Sequence, residues 1–223
     1  MLNLLNALVF ITLTVGLLNM TEEYDFTHNL RIAPQAGLFI PETATIQEDS
    51  AWYSIQSPGP VFGFEVQYRI NPAFSLNGGY SYGWSSVDVS GLDSYTQRPA
   101  FVTSRYTLTG QYRFGQSQPE SRSITPVLFG GLGGYRWELT NDRIFDGGVP
   151  VPSSNNEVDS DLAPGLIAGS ALEWKLSEQV SLFGKGAYNV FFTDRDNPLQ
   201  GTQGDFRFWS VDVGIAFSSG KRY

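Results

Sequence analysis

The residues with chemistry to offer in this 223-residue chain fall into two sets that no catalytic pattern joins. One is a scatter of opposite charges within otherwise uncharged, alternating stretches: Arg31, Glu65, Arg69, Arg105, Arg113, Arg136, Glu138, Glu173, Lys175, Lys185 and Asp212. Mixed signs of this kind suit ion pairing. The other is a set of acids in the connecting segments: Glu42, Glu48, Asp49, Asp88, Asp93, Asp142, Asp146, Glu157, Asp159, Asp161, Asp194, Asp196 and Asp205. Hard divalent cations prefer several oxygen ligands, which Asp194, Asp196 and Asn197, or Glu157, Asp159 and Asp161, could supply. Neither run has EF-hand spacing, so no metal is assigned. The chain has no cysteine and a single histidine, His28, which precedes the first alternating stretch. A Ser/His/Asp site or a His-dependent metal centre therefore has no histidine among the later residues. Carboxylates alone, such as Asp194 with Asp196, form no catalytic arrangement. The expectation is a protein without enzymatic activity, metal or cofactor.

The elements that place these groups are strands. From about Leu30 to Phe217, eight stretches of roughly ten residues alternate apolar and polar, joined by segments that run long, short, long, short, long, short, long. Phe62, Phe64, Val66, Tyr68 and Ile70 alternate with Gly63, Glu65, Gln67 and Arg69. Phe74, Leu76, Gly78, Tyr80, Tyr82 and Trp84 alternate with serines, glycines and Asn77. Val102, Tyr106, Leu108, Tyr112 and Phe114 oppose Thr103, Arg105, Thr107, Thr109, Gln111 and Arg113. Successive strand side chains point to opposite faces, so each stretch has an oily face and a polar one. In the fifth stretch Val127, Phe129, Tyr135, Trp137 and Leu139 are read as the oily face, with Leu128, Leu132, Arg136 and Glu138 opposite. The sixth sets Leu166, Ala168, Leu172, Trp174 and Leu176 against Gly165, Gly169, Glu173 and Lys175. The seventh sets Val180, Leu182, Tyr188, Val190 and Phe192 against Ser181, Lys185 and Asn189, with Phe183 and Phe191 as exceptions. The eighth sets Trp209, Val211, Val213, Ile215 and Phe217 against Ser210 and Asp212. The first, Leu30–Ile40, is the weakest because Pro34 cannot donate to a ladder.

Alternation does not say which face is outside, and a soluble lipocalin-like carrier would use the opposite polarity. Three features choose lipid for the oily face. The polar face is mostly Gly, Ser, Thr and Asn, whereas soluble surfaces carry more Lys and Glu. Aromatics gather near strand ends on the oily face, with Tyr68, Phe74, Tyr112, Phe114 and Trp174 at one level and Tyr82, Trp84, Trp137, Phe192 and Trp209 at the other, as interfacial girdles do. The connections are also systematically unequal: 71–73, 115–123 and 177–179 are short or modest, and 41–60, 86–100, 140–161 and 193–206 are long. Hydrocarbon leaves no partner for an open strand edge, so the first stretch must pair with the eighth. The fold expected is an all-β, eight-stranded antiparallel up-and-down transmembrane barrel over 30–217.

The net charge of −8 argues against nucleic acid as a partner. Residues 1–20, almost wholly apolar from Leu2 to Leu18, read as a secretory signal peptide, with an uncleaved anchor as the rival reading. Residues 21–29 then form a periplasmic lead and 218–223 a tail.

With its alternating stretches, unequal loops and Gly130-Gly131-Leu132-Gly133-Gly134-Tyr135, the chain resembles the eight-stranded outer-membrane barrels typified by the transmembrane domain of OmpA and by OmpX. The resemblance covers 30–217, lacks the peptidoglycan-binding domain that follows the OmpA barrel, and brings no catalytic motif. It implies a monomer in the bacterial outer membrane, contacting outer-membrane lipid and lipopolysaccharide, with periplasmic termini and external loops. The function expected is structural, in envelope integrity, or surface contact through the long acidic loops, where Trp52, Tyr53, Tyr95, Ile144 and Phe145 are available to a ligand. The alternative is a small pore, opened by rearranged ion pairs, or an OmpW-like conduit. A hydrophobic conduit needs an apolar lumen, toward which only Leu128, Leu132, Phe183 and Phe191 are expected to point.

Overall fold

The computed structural model describes residues 30–42, 44–48, 51–55, 57–90, 100–114, 124–140, 144–146, 149–151, 157–177, 179–192, 199–201 and 205–218. The expected signal peptide (1–20), the expected lead (21–29) with His28, most of the expected tail and much of the long connections lie outside these residues. The elements are β1 (Leu30–Pro41), β2 (Ala44–Glu48), β3 (Ala51–Ile55), β4 (Gly59–Arg69), β5 (Phe74–Ser90), β6 (Ala100–Arg113), β7 (Ile124–Thr140), β8 (Ile144–Asp146), β9 (Val149–Val151), β10 (Glu157–Lys175), β11 (Val180–Phe191), β12 (Leu199–Gly201) and β13 (Phe206–Ser218).

Eight of them, β1, β4, β5, β6, β7, β10, β11 and β13, pair antiparallel with the next and close when β13 returns to β1. The closing ladder runs from Arg31↔Ser218 to Pro41↔Phe208, but lapses at Ala33 and Pro34 between Ile32↔Phe217 and Gln35↔Gly214. Pro34 has no N–H to give, and its side chain faces outward, exposed. Two short turns at one end are held by side chains. Asn71 Oδ1 accepts from the N–H groups of Ala73 and Phe74 at 2.9 and 2.8 Å, and Ser177 Oγ from that of Val180 at 3.0 Å.

At the opposite, long-loop end the sheet continues past the barrel. β2 and β3 form a hairpin that extends β5, from Ile55↔Val87 to Trp52↔Ser90, and β12 adds to β2. The segment 41–60 is thus partly strand rather than loop, as its β-branched and aromatic residues favour. β10 likewise begins at Glu157, within the segment 140–161 expected to be a connection.

Burial fixes which face is which. Phe62, Leu108, Leu132, Leu172, Trp209 and Val213 are 50–64% exposed, while Ser75, Asn77, Ser81, Thr109, Gln111 and Asp212 are buried inside. A soluble carrier would bury the first group, so the lipocalin-like arrangement is excluded. Among the described residues, outward-facing charges occur only toward the long-loop end, at Glu42, Asp88, Arg136, Glu138 and Arg207. The band between the two girdles carries none, which is the surface a hydrocarbon slab selects.

One strand is inverted relative to its expected phase. On β7, Val127, Phe129, Tyr135, Trp137 and Leu139 face the lumen, all at most 7% exposed, and Leu128 and Leu132 face out at 52% and 63%. Trp137 is therefore not a girdle residue, and Arg136 and Glu138 are not lumen charges. Lumen glycines make room for the rings. A Cβ at Gly165 on β10 would lie 2.7 Å from Tyr135 Cε2, and one at Gly169 2.6 Å from Phe129 Cζ. With the rings inside, Ile124, Leu128 and Leu132 become the lipid contacts.

Candidate functional site

The lumen contains two layers. Near the short-turn end, Arg31 and Arg113 converge on Glu173, at 2.7 Å from Nη1 to Oε1 and 3.4 Å from Nε to Oε2. Arg113 also donates to Ser75 Oγ at 2.9 Å, and Gln67 donates to Ser75 at 3.0 Å and to Gln111 Oε1 at 2.7 Å. These groups sit on β1, β4, β5, β6 and β10, so one network ties strands around most of the barrel. Toward the middle, Lys185 of β11 pairs with Glu65 of β4 and donates to Gln35 Oε1 of β1 at 2.9 Å. Asn77 donates to the other oxygen of Glu65 at 3.5 Å. Arg69 and Lys175, at the turn ends of β4 and β10, face inward and are half-buried.

Arg105 is 4% exposed and is held by neutral partners. It donates to Ser81 Oγ at 2.8 Å, Asn189 Oδ1 at 3.0 Å and Ser210 Oγ at 3.1 Å, and its guanidinium lies 6.0 Å from the Phe208 ring centroid. Tyr135 Oη shares the Asn189 acceptor at 3.1 Å. Asp212, 1% exposed, has no hydrogen-bond partner for either carboxylate oxygen among the described residues. Of the lumen charges Glu65, Arg105, Lys185 and Asp212, Glu65 and Lys185 are brought together, while Arg105 and Asp212 pair with neither.

Above this polar layer the long-loop half of the lumen is aromatic. Phe39, Phe101, Tyr135, Trp137, Phe191, Phe206 and Phe208 pack with Ile55, Val61, Val87 and Leu139, each under 7% exposed. Ring centroids lie 4.6 Å apart for Phe39–Phe208, 4.8 Å for Phe191–Phe206, 5.1 Å for Phe101–Phe206 and 5.3 Å for Tyr135–Phe191, within the range of favourable ring pairs. The expected apolar lumen residues were thus the wrong ones apart from Phe191 and the half-buried Phe183. Phe39, Phe101, Phe206 and Phe208, inward by the parity of their own strands, were the available signal for this layer.

The polar layer encloses a cavity of about 30 Å³ lined by Arg31, Glu65, Gln67, Asn77, Glu173 and Lys185 among others. That is space for a water or two. The aromatic layer closes the route beyond it, as the narrow interior of an eight-stranded barrel allows. No group of three or more His, Cys, Asp or Glu side chains arranged for a metal occurs among the described residues. The acidic runs at 157–161 and 194–197 have no described side chains.

The remaining girdle residues face outward. Tyr68, Phe74, Tyr112 and Trp174 sit at the turn end, and Tyr82, Trp84, Phe192 and Trp209 toward the loop end. Closed antiparallel sheet, inside-out burial and two aromatic belts define the class: an eight-stranded membrane β-barrel. The chain is similar in fold to Neisserial surface protein A (NspA), at 14% identity and a TM-score of 0.53, over 85% of this chain and 96% of that one. It is similar as well to the outer membrane protein OprG from Pseudomonas aeruginosa, at 12% identity and a TM-score of 0.55, over 86% of this chain and 96% of that one. The outer membrane protease OmpT from Escherichia coli aligns at 9% identity with a TM-score of 0.48, too distant to bear on activity. No family model and no curated protein sequence matches.

Proposed function

We propose that the chain is a monomeric, non-enzymatic barrel of the bacterial outer membrane, with its termini in the periplasm and its long loops outside. Its role is carried by that external end, through envelope integrity or contact with a protein or surface ligand, and not by passage through the lumen. The observation that supports this reading is the lumen itself, closed by an ion-pair network over one half and by interlocked aromatic rings over the other. Selective passage needs a continuous polar or apolar path, and the aromatic layer interrupts the first as the charged layer interrupts the second. The loop-end sheet of β2, β3 and β12 gives the external end a structured base.

The experiment is paired. Outer-membrane fractions run on gels with and without boiling should show the heat-dependent mobility of a folded barrel, and the purified protein in planar bilayers should give no stable conductance. Stepwise ion currents from the wild-type protein would replace this reading with the pore. Cleavage of the loops by protease added to intact cells is expected; cleavage only after the outer membrane is opened would reverse the orientation.

A further inference from the structure

Arg136 stands on the lipid face of β7, partly exposed, between Ser104 of β6 and Leu162 of β10 across the two ladders. It makes no ion pair with a described residue. A guanidinium on that face is stable where it reaches water or an anionic headgroup at the interface, and unstable deeper in hydrocarbon. Glu138, on the same face, is 8% exposed, so the cation and not the acid is presented. Arg207, the other outward-facing guanidinium among the described residues, has a carboxylate beside it. Its backbone oxygen accepts from Glu42 N–H at 2.9 Å, and Glu42 accepts from Tyr188 Oη at 3.0 Å.

Immediately on the mid-membrane side of Arg136 the lipid face is hollow. An apolar trough of about 300 Å³ runs between β5, β6 and β7, walled by Tyr106, Leu108 and Leu132. It exists because Gly78 and Gly134 carry no side chain, and a Cβ at either would meet nothing within 4 Å. The volume is about ten times the share of one liquid water, space for a run of methylenes. Along the strand the order is trough, then guanidinium, then the loop-end interface. That is the order of parts in an amphiphile whose chain points to the bilayer centre and whose anionic head lies at the surface.

We infer that this surface seats one phosphate-bearing lipid of the leaflet at the long-loop end, with an acyl chain in the Gly78–Gly134 trough and a phosphate on Arg136. Arg is suited to the task because its planar fork bonds two phosphate oxygens at once. The site goes beyond the proposed surface role and depends only on the barrel and its lipid face, so a reversed orientation would leave it standing.

The test uses the full chain, purified in mild detergent and mixed with micelles of bis-phosphorylated lipid A or of the same lipid dephosphorylated, with retained lipid counted by native mass spectrometry. Wild type should retain a single phosphorylated lipid, with about tenfold preference over the dephosphorylated form, as a charge-assisted bidentate contact supports. Arg136→Gln should abolish the preference and Arg136→Lys keep part of it. Gly134→Leu should lower retention of both lipids. Both sites face outward, and heat-dependent gel mobility reports whether each variant is folded. An unchanged preference in Arg136→Gln, full retention in folded Gly134→Leu, or displacement of the lipid by inorganic phosphate alone would overturn the assignment. Orientation is read separately by protease cleavage on intact cells.

Discussion

Lys185 and Asp212 are direct neighbours across the β11–β13 ladder, yet the ammonium of Lys185 pairs with Glu65 on β4 and leaves both oxygens of Asp212 without a hydrogen-bond partner. The lumen therefore holds one satisfied carboxylate and one unsatisfied carboxylate around the same lysine. The two should answer substitution in opposite ways.

Removing either partner of the satisfied pair strands a charge in a water-poor interior. Glu65→Gln or Lys185→Met should each destabilise the folded barrel by about 3 kcal/mol, the lower end of what broken buried pairs cost. The double variant should recover part of that loss. Denaturant unfolding in vesicles gives the cycle, and strictly additive losses would show that the two residues do not act as a pair.

Asp212→Asn removes a charge that no described residue hydrogen-bonds and keeps the shape. Stability should hold or rise by about 1 kcal/mol, since an unpaired buried carboxylate costs more than its amide. The same unfolding assay decides it. A clear loss would mean that Asp212 is held by a contact with residues outside those described.

The aromatic layer closes the lumen, so truncating it should both weaken and open the barrel. Trp137→Ala or Phe206→Ala is expected to cost about 3–5 kcal/mol, as large-to-small changes in packed cores do. Bilayer recordings should then show current where none is expected of the wild type. Trp137→Phe should be mild, because Trp137 Nε1 has no acceptor among the described residues to lose.

The phase of β7 is open to a direct optical test. In single-tryptophan variants, brominated lipid should quench Trp174 and Trp209, 49% and 50% exposed, and spare Trp137, which is fully buried. Quenching of Trp137 would restore the opposite phase.

Charge on the lipid face should cost according to depth. Leu132→Arg, beside the trough, is expected to lose about 2–4 kcal/mol, and Leu162→Arg, across the ladder from Arg136, about 0–1 kcal/mol. Equal costs would remove the distinction between mid-membrane and interface positions on this face.

Most of the barrel was readable from the chain because a period of two, imposed by strand geometry, meets two sharply different solvents. Where both solvents accept the same residues, the pattern loses its sign. On β7 apolar side chains occupy both faces, so Arg136 and Glu138 were given to the lumen by the rule that charge avoids lipid. The rule fails near the interface, where an arginine's long stem lets its head leave the hydrocarbon. Conversely, Trp137 resembled a girdle residue, and Tyr135 a lipid-facing one, because an aromatic suits either a membrane surface or a packed interior. Only the neighbouring strands decide between these, through Phe39, Phe101, Phe191, Phe206 and Phe208 beside them. That Glu65 pairs with Lys185 and not with Arg105, the two partners its strand position allows, depends on how far a side chain reaches across several strands, which spacing along one strand does not encode.

The lapse at Ala33 and Pro34 falls on the pairing between the first strand and the last, the joint that turns a curled sheet into a tube. Every other ladder of the barrel wall joins strands close in the chain, whereas this one brings together its two ends. With the proline giving the joint less to hold by, it is the clasp of the barrel. Pulled from both termini, the cylinder should part there first, and during assembly that clasp should be the last to fasten.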